Sequence, residues 1–308
     1  MIDTFDLALP HGITLSVRAA GQPGRPVLLF LHGFPEAAFV WDEALAHFAA
    51  PEHGGWRCIA PNLRGYERSS APPNADAYRA RHLVQDIAAL IDAVTAAGPT
   101  PGRVAGLIAH DWGGAVAWNL AATQPERLDR LVILNSPHPG TFWRDLRESP
   151  AQQAASAYMN FLCRPDAAER LRADGYAKLW AFFRGMSDTS AWLTPALQAQ
   201  YEAVWAHGLQ GGLNYYVASP LRPPTADDPA AAGVTLPDTL LHVRVPTLVI
   251  WGMRDQALLP GLLDGLDAWV PDLRVERLPD ASHWLLHEQP ARVIGLIDGF
   301  LASAQRAG

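Results

Sequence analysis

The chain has 308 residues, 49% of them hydrophobic and 18% charged, so it can bury a sizeable core and is not typical of a disordered protein. Its formal net charge is −7 at pH 7, and it contains no run of Lys or Arg. This balance argues against nucleic-acid and anionic-membrane partners and favours a small apolar organic substrate.

The two cysteines, Cys58 and Cys163, provide neither a disulfide framework nor a paired-thiol metal motif. The N-terminal residues show no basic, apolar leader pattern, and no segment approaches the ~18 apolar residues of a membrane span. We therefore expect a cytoplasmic protein in a reducing compartment. The sequence leaves the oligomeric state open, and a homodimer is compatible with it.

The first predicted elements are strands. Residues 3–9 and 13–18 alternate between apolar and polar side chains, which predicts antiparallel edge strands. Residues 27–31 form a continuous apolar run, which is typical of a strand that is buried on both faces.

Strand patterns and helical patterns then alternate along the chain. Further strands are predicted at residues 56–60, 104–109, 131–134, 247–251 and 274–278, and the clearest helical spacing covers residues 82–97 and 290–304. This order predicts an α/β fold with a mostly parallel, eight-stranded sheet that is flanked by helices.

The middle of the chain has a different character. Strand patterns disappear after residue 136, and helical stretches rich in Trp, Tyr and Ala continue to residue 240. We predict that residues 137–240 form a helical lid inserted into one core, which is made of residues 1–136 and 241–308. A separate domain on a linker is the alternative, but strand and helix alternation resumes at residue 244.

The most informative motif lies at residues 106–114, where a strand ends in a turn of small residues and a helix follows at 115–123. Ala109 and Gly113 stand two positions before and after Asp111, as a nucleophile elbow requires. A carboxylate at this position attacks an sp3 carbon and forms an alkyl ester, which disfavours peptide and simple ester hydrolysis. Capping of the following helix is the alternative role of Asp111.

A second motif, His-Gly-Phe-Pro-Glu at residues 32–36, follows the buried strand at 27–31. In this arrangement the loop supplies a backbone N–H group that stabilises negative charge on a carbonyl oxygen. We predict that the N–H groups of Phe34 and Trp112 form this oxyanion hole, and that both side chains also contact the substrate.

Hydrolysis of an ester on Asp111 requires a base. His283 lies in a loop just after the last predicted strand, and Asp255 lies just after the strand at 247–251. The order nucleophile, acid, His is the order of this type of triad, so we predict that Asp255 orients His283. No predicted helix carries two His residues at i, i+4 spacing and the chain has no CxxC motif, so we expect no metal ion and no cofactor.

Together with Asn-Ser-Pro-His-Pro at residues 135–139, these motifs make the chain resemble the epoxide hydrolases of the α/β-hydrolase superfamily. The resemblance covers nearly the whole chain. It implies the α/β-hydrolase fold and hydrolysis of an epoxide to a vicinal diol through an alkyl ester on Asp111, with water as the second substrate.

The same resemblance implies two lid tyrosines that hold and protonate the epoxide oxygen. Tyr158, in Tyr-Met-Asn-Phe-Leu, matches the first, and Tyr216, in Leu-Asn-Tyr-Tyr, matches the second. The family often has a basic residue after the second tyrosine, where Val217 stands here. Tyr215 is therefore the alternative for the second lid tyrosine. If Tyr216 has that role, we expect Tyr215 to contact the substrate.

Two other functions remain open on the sequence. Dehalogenases share the elbow, but haloacetate dehalogenases carry arginines where Trp112 and Ala115 stand. Haloalkane dehalogenases keep a better match, because the Trp112 indole N–H would suit a halide, although Phe34 stands where they usually have a side-chain donor. A non-catalytic protein that binds a small ligand on the same fold is the minor alternative.

Overall fold

The computed structural model describes residues 1–187 and 189–305. The strands are β1 (Asp3–Ala8), β2 (Thr14–Ala20), β3 (Val27–Leu31), β4 (Arg57–Pro61), β5 (Gly106–His110), β6 (Leu131–Leu134), β7 (Thr247–Gly252) and β8 (Leu273–Leu278). They form one sheet in the order β1-β2-β4-β3-β5-β6-β7-β8. β2 pairs antiparallel with β1 and β4, and the other neighbours are parallel, which confirms the predicted fold class.

One prediction about the strands is wrong. Residues 13–18 were expected to form an edge strand, but β2 lies inside the sheet between β1 and β4. Only β1, of these two, is an edge strand. Alternation along a sequence reports which side chains are exposed, whereas the position of a strand depends on distant pairing partners, here β4.

The strands in the middle of the sheet are buried because helices cover both faces. The helices outside the β6–β7 connection are α1 (Asp42–Ala49), α2 (Ala80–Thr95), α3 (Asp111–Thr123), α10 (Leu285–Glu288) and α11 (Pro290–Gln305). Along β3, Leu29 and Leu31 pack into a cluster with side chains of α2 and α3. Leu28 and Phe30 face the opposite cluster, with side chains of α1 and α11. This two-sided burial explains the continuous apolar run in the sequence.

The connection between β6 and β7 contains α4 (Pro139–Glu148), α5 (Pro150–Ala155), α6 (Tyr158–Leu162), α7 (Ala167–Gly185), α8 (Pro195–Ala206) and α9 (Gln210–Ala218). Non-helical backbone at residues 173–176 interrupts α7. No strand occurs in the described residues of this connection. None of the helices in the described ranges is long and apolar enough to cross a membrane.

The parallel strands place the chemically important loops at one edge of the sheet. β3, β5, β6, β7 and β8 run in the same direction, so their carboxyl ends lie side by side. Phe34, Asp111, Asn135, Asp255 and His283 all follow the ends of these strands. Ligand sites of open α/β sheets form at this edge.

Candidate active site

Asp111 lies at the tip of a tight turn between β5 and α3. Its φ of 49° is in the left-handed region, which non-glycine residues adopt at a cost and mostly where the surrounding structure enforces it. The turn is close to neighbouring backbone: a Cβ on Gly113 would lie 2.6 Å from the carbonyl oxygens of Leu31 and His32. The small residue at this position therefore allows the turn, and α3 begins at Asp111 itself rather than at residue 115.

The loop after β3 contacts the Asp111 carboxylate. The backbone N–H of Phe34 donates a hydrogen bond to Asp111 Oδ1 at 2.8 Å. A Cβ on Gly33 would collide with the Asp111 side chain, so a glycine is needed for this close approach. Trp112 lies in the first turn of α3, where backbone N–H groups have no acceptor within the helix. The structure thus brings Phe34 to the carboxylate and places Trp112 beside it.

His283 lies between two carboxylates. Its Nδ1 is 2.7 Å from Asp255 Oδ2, and its Nε2 is 3.8 Å from Asp111 Oδ2. Burial lowers the pKa of His283, but the charge and hydrogen bond of Asp255, with a contribution from Asp111, outweigh burial and raise the pKa to about 9. The structure therefore brings the three residues of the predicted triad together, with His283 between the two carboxylates.

Asp255 is held by more than His283. Its Oδ1 accepts hydrogen bonds from the N–H groups of Ala257 and Leu258, both at 2.9 Å, and its Oδ2 accepts one from Asn135 Nδ2 at 2.6 Å. Burial would raise the pKa of Asp255, but the positive charge of His283 and these hydrogen bonds lower it below its usual value. The carboxylate is therefore ionised and fixed in position.

Asn135 is a site residue to which the sequence assigned no role. Besides donating to Asp255, its Oδ1 accepts the backbone N–H of Gly252 at 2.8 Å, so it joins the end of β6 to the end of β7. Its φ of 37° is again in the left-handed region, where Asn is enriched. An Asn directly after a buried parallel strand was the available signal.

A second buried cluster, centred on Glu36, was also missed. Glu36 lies 3.1 Å from His110 Nδ1 and 2.7 Å from both His287 Nε2 and the Tyr201 hydroxyl. Although burial would raise the pKa of Glu36, the hydrogen bonds from His110 and His287 lower it well below its usual value. His110 Nε2 donates to the carbonyl oxygen of His283 at 3.0 Å. The cluster therefore links α8 to the loop that carries His283.

Tyr158 and Tyr216 lie together opposite Asp111. Their ring centroids are 6.2 Å apart, and Tyr216 packs against the rings of Phe34 and Trp112 at 5.4 and 5.0 Å. Burial raises the pKa of both phenols, and the negative charge of Asp111 raises it further. Both hydroxyls therefore stay protonated at neutral pH.

Tyr215 has a different hydrogen-bond partner. Its hydroxyl donates to the carbonyl oxygen of Arg64 at 3.0 Å, while its ring packs against Trp112 and Tyr78. The hydroxyl is thus occupied by the backbone of the loop after β4. Of the two adjacent tyrosines, Tyr216 is the one whose pKa is raised by the charge of Asp111.

Two chambers meet at Asp111. The large chamber has a volume of about 230 Å³, and its lining includes Trp112 and Tyr215. The small chamber has a volume of about 20 Å³, and its lining includes Phe34 and His283. Asp111, Tyr158 and Tyr216 line both chambers and form the boundary between them.

This chain is similar to known proteins over nearly its whole length. Residues 26–290 match the α/β-hydrolase fold family. An α/β-hydrolase superfamily protein of Bacillus subtilis is 36% identical over 94% of this chain and 95% of its own. Epoxide hydrolase 4 of Mus musculus is 30% identical over 96% of this chain and 78% of its own. A solved structure from work on epoxide hydrolases in metagenomes from hot environments is 37% identical, with a TM-score of 0.85, and covers 98% of this chain and 99% of that chain.

Proposed function

The chain belongs to the α/β-hydrolase family and, within it, to the epoxide hydrolases, and we propose that it converts epoxides to vicinal diols through an alkyl ester on Asp111. One observation carries the proposal. A carboxylate at the tip of the β5–α3 turn lies with two protonated phenols, Tyr158 and Tyr216, at the boundary of the two chambers. A nucleophile opposite two acids is the arrangement that ring opening of an epoxide requires.

In the first step, Asp111 Oδ2 attacks a ring carbon while the epoxide oxygen lies between the two tyrosine hydroxyls. The C–O bond of the ring breaks, and one phenol transfers its proton to the developing alkoxide. Asp111 Oδ1 already accepts the Phe34 N–H bond, so the free oxygen is the one available for attack. The products of the step are an alkyl ester and a tyrosinate.

In the second step, His283 removes a proton from a water molecule that attacks the ester carbonyl of Asp111. The oxyanion that forms is stabilised by the N–H groups of Phe34 and Trp112. Its collapse breaks the acyl C–O bond of the ester, and the second proton of the water moves to the leaving alkoxide. The vicinal diol is released and the Asp111 carboxylate is regenerated. His283 is protonated in the free enzyme, because its pKa is about 9. Ester formation removes the negative charge of Asp111, which is one cause of that high pKa. Once the ester has formed, His283 therefore transfers its proton to the tyrosinate more readily. This transfer restores the tyrosine and leaves the neutral His283 that removes the proton from water.

We also propose that residues 137–240 act as the lid of the site and residues 1–136 and 241–308 as the core. The support is that Tyr158 in α6 and Tyr216 in α9 lie over the Asp111 turn, which belongs to the core. A lid of this kind excludes bulk water from the ester, so that only the water molecule activated by His283 reacts with it.

Dehalogenation is less well supported. No Lys or Arg occurs among the described residues that line either chamber, so a haloacetate carboxylate would have no counter-ion there. A haloalkane would fit the apolar lining, but its halide needs no proton. The two phenols would then have no part in the reaction.

The test is a comparison of epoxides and haloalkanes in water enriched with heavy oxygen. In a single turnover with excess enzyme, we expect diol formation and entry of one heavy oxygen into the peptide that contains Asp111, because water attacks the ester carbonyl. The same peptide from ordinary water is the control. Halide release without activity on epoxides, or a diol that carries the heavy oxygen while Asp111 stays unlabelled, would overturn the proposal.

A further inference from the structure

The two chambers at Asp111 differ about tenfold in volume, about 230 Å³ against about 20 Å³. His283 lines the small chamber and not the large one. Because Asp111, Tyr158 and Tyr216 line both, an epoxide ring held between them has one ring carbon toward each chamber. The site is therefore strongly asymmetric with respect to the two ends of its substrate.

The small chamber has room for about one ordered water molecule. Its walls include Phe182 in the last turn of α7, Met186 directly after that helix, and Trp284, which follows His283. His283 Nε2 lies 3.8 Å from Asp111 Oδ2, so the water that attacks the ester has its place in this chamber. A carbon substituent there would occupy the space of that water.

The large chamber suits an uncharged apolar group. Among the described residues that line it, the charged one is Asp111. The polar ones include Asn119, Ser136 and Ser219. A cavity of about 150 Å³ lined by apolar side chains holds a benzene molecule, so the larger volume here accommodates an aryl ring or a chain of similar size. Burial of such a group supplies the binding free energy that places the ring carbon against Asp111.

We infer, on the basis of the proposed function, that the substrate is an epoxide with an apolar substituent on one ring carbon only. The substituent occupies the large chamber, and the unsubstituted carbon faces the small chamber beside His283. Epoxides substituted on both ring carbons are poorer substrates because of the volume of the small chamber, not because of the chemistry of Asp111.

The small chamber shares lining residues with a surface groove of about 540 Å³. Phe182 and Met186 line both spaces. Phe182 also packs against Tyr158 at 5.8 Å, so its removal would disturb a residue of the proposed machinery. Met186 is partly exposed and follows the last turn of α7, which makes Met186→Ala the cleaner way to open the small chamber.

The experiment compares kcat/KM for styrene oxide and trans-β-methylstyrene oxide, which differ by one methyl group on the second ring carbon. We expect kcat/KM for the methylated substrate to be lower by about 10- to 200-fold, the usual effect of one carbon in a pocket of fixed size. Met186→Ala should reduce this ratio at least severalfold. Leu240→Ala enlarges the large chamber and should leave the ratio unchanged, so it is the matched control.

The variants separate the chamber volume from the intrinsic reactivity of the two epoxides, because reactivity is the same for every variant. Equal kcat/KM values in the unmodified protein, or a ratio that responds to Leu240→Ala but not to Met186→Ala, would refute the inference while leaving epoxide hydrolysis intact. Turnover of neither epoxide, nor of other terminal epoxides, would instead refute the proposed function, and the inference with it.

Discussion

Replacement of Asp255 by Asn tests whether Asp255 and His283 act in ester hydrolysis rather than in ester formation. In the structure, Asp255 Oδ1 accepts two backbone N–H groups, while Oδ2 faces two further donors, His283 Nδ1 and Asn135 Nδ2. An Asn side chain keeps its oxygen at the backbone N–H groups and turns its NH₂ group toward His283. His283 Nδ1 must then accept a hydrogen bond, so the proton moves to Nε2, and Nε2 can no longer act as the base.

We expect Asp255→Asn to slow ester hydrolysis strongly and ester formation only slightly. A wrong His tautomer of this kind costs about 10⁴-fold in a catalytic triad, which is about 5 kcal/mol of barrier. Ester formation uses the Asp111 carboxylate and the lid phenols, so its rate should change far less. Asp255→Asn should therefore accumulate the ester and release diol about 10⁴-fold more slowly.

The assay is rapid quenching with a reactive epoxide, followed by mass measurement of the peptide that contains Asp111. A stoichiometric burst of alkylated peptide without steady diol release is the expected result. Asp280→Asn is the matched control, because Asp280 lies in the same loop as His283 but is exposed and pairs with Arg254. Unchanged diol release in Asp255→Asn, or absence of the alkylated peptide, would refute the reasoning.

Three further predictions follow from the titration and hydrogen bonding of the site. First, the folded-state pKa of His283 is raised from 6.5 to about 9, so the corresponding stability of about 3 kcal/mol is fully present below pH 6.5 and lost as pH rises through 9. Denaturant unfolding of the unmodified protein should show this loss, and His283→Gln should show a flatter profile; equal slopes would contradict it. Second, the hydrolytic step should show an apparent pKa below 9 in single-turnover measurements across pH, because the ester removes the Asp111 charge; an apparent pKa at or above 9 would count against that explanation. Third, Tyr216→Phe should slow ester formation by about 10²-fold or more. Tyr215→Phe should instead cost about 1 to 3 kcal/mol of stability in a melt, because the Arg64 carbonyl loses its donor. The opposite pattern would exchange the roles of the two tyrosines.

The sequence predicted the elements whose cause is local. Residues 27–31 were predicted as a buried strand and form β3 with the same bounds, because an uninterrupted apolar run is stable only between two covering layers. The observed bounds of other elements differ from the predicted ones. The strand predicted at 104–109 begins at Gly106, since Val104 makes only an isolated bridge to Leu128. Such boundaries depend on the partner strand, which no local pattern contains.

The sequence by itself also located Asp111 at the tip of the β5–α3 turn, because a sharp turn needs small residues at fixed offsets and the residue at its tip is then known. Only the tertiary structure decided which distant groups hold the other residues of the site in position. Asn135 reaches Asp255 across 120 positions, and Glu36 reaches His110 across 74.

The Tyr215 hydroxyl likewise bonds to the carbonyl of a distant residue, Arg64, and the shape of the site depends on the two chambers. Steric rules of a turn act over a few residues and can be read along the chain. Hydrogen-bond partners and cavity volumes are properties of segments that meet only after folding, so they follow from the packed structure alone.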